Sequence, residues 1–64
     1  MQPYQERIIV EKKELDDKLD KLKAFIEVSP IYKTLSNEEQ HRLNRQFDIM
    51  VEYSTILGAR IEAF

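Results

Sequence analysis

Five side chains in this sequence have the chemistry to grip an anion: Arg7 near its start, Arg60 near its end, and Lys12, Tyr53 and Ser54 between them. Guanidinium forks hold phosphate at two points, an ammonium adds a point charge, a hydroxyl donates or accepts, and an aromatic ring offers a face on which a base can stack. These are the residue types that grip a phosphate and stack a base, and the set holds no group suited to cleaving a nucleotide. The plainer alternative is that Arg7 and Arg60 pair with Glu6, Glu11 or Glu62, or with the terminal carboxylate of Phe64, and spacing alone leaves both readings open. Arg42, Arg45 and Gln46 form a further polar strip, read as solvated.

Material for catalysis is poor. A single glycine cannot build a phosphate-cradling loop, cysteine is absent, and one histidine, His41, makes neither a two-histidine metal motif nor a structural zinc site. Paired carboxylates such as Asp16 with Asp20, or Glu38 with Glu39, read as solvated helix faces and as partners of a helix N-terminus. The expectation is therefore a binding protein, with no enzymatic activity, no metal and no cofactor.

The elements that carry these groups are legible from apolar spacing. Ile8, Leu15, Leu19, Leu22 and Ile26 recur at sums of three and four residues, and Leu43, Phe47, Met50, Leu57, Ile61 and Phe64 do the same. Each series keeps to one face of an α-helix at close to the coiled-coil period. The fold class is all-α: an antiparallel helical hairpin, one domain over residues 1–64, assembling into a homo-oligomeric bundle. The helices are expected at about 3–27 and 36–63, with a bend at about 28–35.

Local signals set those bounds. Pro3 suits a first helical position, where its missing N–H costs nothing, and Glu6 follows in the first turn. Glu14 with Lys18, and Asp17 with Lys21, are spaced to pair on the outer face. Pro30 disfavours helix at Ser29, and Ile31 and Leu35 are expected to form one turn that plugs the open end of the hairpin, with Tyr32 on its rim. Ser36 and Glu39 have the spacing of a capping box, and Gly58 is the one weak position of the second helix.

Folding the helices antiparallel sets Leu22 against Leu43 and Phe47, Leu15 against Met50, and Ile8 near Leu57. Lys12 and Ser54 then fall into the seam as a polar layer. Either the lysine stem packs there while its ammonium reaches out to water, or the layer marks a pocket that a ligand or second subunit completes. Ile49, Ile56 and Ala63 repeat every seven residues beside the main seam, and Ile9 and Val10 widen the apolar face of the first helix. A two-helix hairpin offers each helix only one partner, so Ile9, Val10, Ile49 and Ile56 are expected to contact further copies of the chain.

Length and charge agree with this. Sixty-four residues without cysteine have trouble burying enough apolar surface alone, which again favours self-association. A formal charge of −2 argues against a coat for long nucleic acid, and no apolar run approaches the roughly 18 residues of a membrane span. The opening residues lack the pattern of a signal peptide, so a cytoplasmic location is expected.

The opening Tyr4-Gln5-Glu6-Arg7-Ile8-Ile9-Val10-Glu11-Lys12-Lys13-Glu14-Leu15-Asp16, the middle Leu22-Lys23-Ala24-Phe25-Ile26 and the ending from Met50 through Tyr53-Ser54, Leu57, Arg60-Ile61 to Phe64 resemble a family of short phage and prophage proteins related to a crAss-like phage reading frame. That resemblance implies a virus-encoded accessory protein in the cytoplasm of an infected bacterium. By analogy with other very small helical phage proteins, it implies an anti-defence sponge that sequesters a cyclic oligonucleotide or an ADP-ribose derivative. The alternatives are a module that docks onto and inhibits a host protein, and a structural accessory protein with no ligand.

Overall fold

The structure, a computed structural model, describes every residue from Met1 to Phe64. Helix α1 spans Pro3–Val28 and helix α2 spans Asn37–Glu62, joined by a single 3-10 turn at Tyr32–Thr34. The two helices pack against each other as a hairpin, a rod of 46 × 15 × 14 Å. Its length is that of one 26-residue helix at 1.5 Å per residue plus the bend.

Each end of each helix has a local cause. The Gln5 side chain accepts a hydrogen bond from the Gln2 backbone N–H at 2.9 Å, and Pro3 opens the helix behind it. Ser36 caps α2 by accepting from the Glu39 N–H at 3.1 Å. The reciprocal half of a capping box does not form, because the Glu39 carboxylate turns to Arg42 Nε at 2.8 Å. On the outside of α1 Asp17 pairs with Lys21 at 3.1 Å, whereas Glu14 and Lys18 make no ion pair.

The bend departs from its sequence-based expectation. Ile31 is exposed and plugs nothing; Leu35 turns partly inward, and Tyr32 packs edge-on against Phe25 with ring centroids 6.2 Å apart. Ser29 Oγ accepts from the Ile31 N–H at 3.2 Å, which fixes the chain so that the tyrosine, not the isoleucine, faces α1. Gln40 donates to the carbonyls of Tyr32 and Leu35 and ties the turn down to α2. At the opposite end Tyr4 meets Phe64 edge-on, also at 6.2 Å, and closes the chain termini together.

Two helices shield only one face of each other, so the core is thin. Ile8 and Leu57 are the buried apolar side chains, Leu57 at 1% exposure, and the other seam residues are only half covered. No helix is long and apolar enough to cross a membrane.

Candidate functional site

The polar layer lies about two to three turns in from the Tyr4–Phe64 end. Lys12 and Asp16 stand four residues apart on α1 and so share a face, and that face meets Ser54 of α2. Lys12 Nζ donates to Ser54 Oγ at 2.7 Å and to Asp16 Oδ2 at 3.1 Å, with the Ser54 carbonyl at 3.4 Å. Ser54 Oγ donates in turn to Asp16 Oδ1 at 2.5 Å. The three side chains therefore close a ring in which each hydrogen bond involves a charged partner, the strong class of such bonds.

The ring adds to two sequence-based readings. Asp16 stays partly solvated, and it is also the acceptor that completes the layer; the i to i+4 step from Lys12 was the available signal for it. The Lys12 stem packs in the seam as expected, and its ammonium, still partly open to water, is also held by Ser54, at 9% exposure, and by Asp16. The Asp16 carboxyl is held below its usual range, first by the Ser54 hydrogen bond and then by the hydrogen bond and charge of Lys12, with partial desolvation opposing them. Gly58 has a packing reason as well: the Lys12 stem crosses it, and a Cβ there would lie 3.6 Å from Lys12 Cε.

The other three candidate residues are arranged differently. Tyr53 is exposed beside Ser54, on the neighbouring face of α2. Arg7 and Arg60 are exposed and stand at the same end of the hairpin, as the Tyr4–Phe64 contact and the Lys12–Ser54 bond require. Neither makes an ion pair, so the pairing with Glu6, Glu11, Glu62 or the C-terminus does not occur. They do not meet in a shared cavity of the single chain: the shallow groove beside Arg7 is lined by α1 alone, from Pro3 to Glu14. A second groove, on α2, runs past Arg42, Arg45, Gln46 and Ile49, where Arg45 is also unpaired. His41 is exposed, and no cluster of three His, Cys, Asp or Glu side chains is placed to hold a metal ion.

The geometry thus separates a satisfied polar layer inside the seam from free cationic and aromatic groups outside it. A family model described as Sequestin matches residues 2–63, nearly the whole chain, and the chain belongs to that family. No curated protein and no solved structure gives a significant match.

Proposed function

We propose that this member of the Sequestin family is a virus-encoded sponge. It binds a nucleotide messenger of bacterial immunity, a cyclic oligonucleotide or an ADP-ribose derivative, and sequesters it without cleaving it, in the cytoplasm of the infected host. The observation that carries this reading is the unpaired state of Arg7 and Arg60. In a chain with 12 acidic residues, both arginines remain free of carboxylate partners at one end of the rod. Guanidinium groups left open in this way are available to phosphate.

Tyr53 lies about two turns from Arg60 on the same face of α2, while Lys12 and Ser54 form the satisfied layer and hold α2 in register. To touch phosphate directly, Lys12 would have to leave Asp16, so its share in binding is chiefly positional. The family name denotes sequestration, which fits a protein that acts by mass action with no catalytic group. Self-association through Ile9, Val10, Ile49 and Ile56 is part of the proposal, since one hairpin offers grooves and no enclosed pocket.

The test is the thermal midpoint of the purified protein with and without a panel of cyclic di- and trinucleotides and ADP-ribose derivatives. A ligand at about 100 times its dissociation constant adds about 2.7 kcal/mol, which is roughly 10–20 °C for a domain of this size. Arg60→Ala should abolish the shift and leave the mass in solution unchanged. Absence of any shift across the panel would overturn the reading. It would favour the second one, in which the exposed Ile49 and Ile56 dock onto a host protein.

A further inference from the structure

The outer face of α2 carries a complete second heptad seam that the hairpin leaves uncovered. Gln46, Ile49, Tyr53, Ile56 and Arg60 follow one another at steps of three, four, three and four, with Arg42 and Ala63 extending the series at either end. Its centre is open to water: Ile49 is 51% exposed, Tyr53 42% and Ile56 58%. A seam of that period fits one occupant shape, another α-helix.

The order of residues says which helix. The series reads nearly the same in both directions about Tyr53: an isoleucine on each side, then a long polar side chain (Gln46 or Arg60), then Arg42 or Ala63. A self-complementary stripe is what an isologous two-fold contact requires. We propose that α2 packs antiparallel on α2 of a second copy of this chain, with the two-fold axis at Tyr53. Ile49 then meets Ile56 of the second copy twice, the two Tyr53 rings meet on the axis, and Arg60 lies against Gln46 of the second copy. A parallel pair in register would instead set each residue on its own copy, Ile49 on Ile49 and Ile56 on Ile56, and would make no use of this two-way order.

The exposed area agrees. The single chain shows 5068 Å² of accessible surface, whereas a compact protein of 7.7 kDa shows about 4,300 Å². The excess, about 700 Å², is spread over the whole rod, so the hairpin carries surplus surface of the order that a standard interface covers, roughly 800 Å² per partner.

The same packing builds a composite anion site at each end of the seam. Arg60 of one chain is brought beside the groove that holds Arg42, Arg45 and Gln46 in the other, and Arg7 stands at that level on α1. Arg45 and Arg60 are unpaired in the single chain. Their convergence across the seam supplies two guanidinium forks to one ligand with at least one phosphate. Tyr53 becomes the axis contact, and the phosphates fall to Arg60 with its counterparts from the other chain. The seam rests on the fold alone; the ligand it would hold rests on the sponge reading.

With no native cysteine, single cysteines report the seam cleanly. Under oxidation Tyr53→Cys should form a disulfide-linked dimer, Ile49→Cys and Ile56→Cys should crosslink to each other when mixed, and Val51→Cys, on another face of α2, should stay uncrosslinked. Failure of Tyr53→Cys to crosslink in a chain of native helicity, or preferential crosslinking of Val51→Cys, would overturn the seam. The site is tested by equilibrium dialysis with a radiolabelled cyclic dinucleotide and with radiolabelled ADP-ribose. Arg60→Ala and Arg45→Ala should each lose binding, and mixing the two variants should restore about a quarter of wild-type capacity, because half the dimers are mixed and each regains one of two sites. Wild-type binding without restoration on mixing would overturn the shared site alone. Absence of binding by the wild type would overturn the sponge reading and the shared site together, and leave the seam to the crosslinks.

Discussion

Replacing Ser54 with alanine is the sharpest probe of the polar layer. The hydroxyl accepts from Lys12 at 2.7 Å and donates to Asp16 at 2.5 Å, so Ser54→Ala deletes two hydrogen bonds to charged groups. Such bonds contribute about 1.5–3 kcal/mol each when fully sheltered. Here Lys12 and Asp16 keep each other at 3.1 Å and are both partly exposed, so water and the remaining ion pair recover part of the loss. The expected net cost is about 2 kcal/mol, a large share of the roughly 3–10 kcal/mol available to a chain of this length. That corresponds to a fall in midpoint of roughly 8–16 °C, read by thermal and urea unfolding followed by circular dichroism at one fixed protein concentration. A second arm replaces the layer outright. Lys12→Leu combined with Ser54→Ala makes the seam apolar and frees Asp16 to turn to water, and it should regain most of the lost stability. A drop below about 0.5 kcal/mol for Ser54→Ala alone, or a double variant less stable than the single one, would refute this account of the layer.

Two other substitutions follow from the same geometry. Because its hydrogen bonds hold the Asp16 carboxyl below its usual range, folding favours the ionised form; that contribution is complete above the unfolded value near 4 and fades as pH falls through the lower folded value. Acid titration of stability should therefore be shallower below about pH 4 in Asp16→Asn than in the wild type, and equal slopes would show that the carboxylate contributes nothing. Gly58→Ala should stabilise the chain by about 0.5–1 kcal/mol, since the added methyl meets the Lys12 stem at ordinary contact distance and removes a glycine from a helix interior; destabilisation in urea would mean that Lys12 cannot give way.

What the sequence determined by itself was the periodic part. The steps of three and four from Ile8 to Ile26 and from Leu43 to Phe64 specify two helices with one facing stripe each, because side-chain direction in a helix depends only on residue count. The same counting set Lys12 opposite Ser54, and the structure joins them at 2.7 Å. Tertiary structure decided everything that turned on competition between partners. The carboxylate of Glu39 had a cap and an arginine within reach and took the arginine; Ile31 and Tyr32 competed for α1, and the turn geometry favoured Tyr32. Asp16 looked like its neighbours Asp17 and Asp20 until Ser54 arrived from a position 38 residues away; its step of four from Lys12 put it within reach, and the contact across the seam made it the acceptor. Arg7 and Arg60 show the remaining limit: the sequence left open whether acidic neighbours pair with them, and only the folded chain revealed that no carboxylate of its own occupies them.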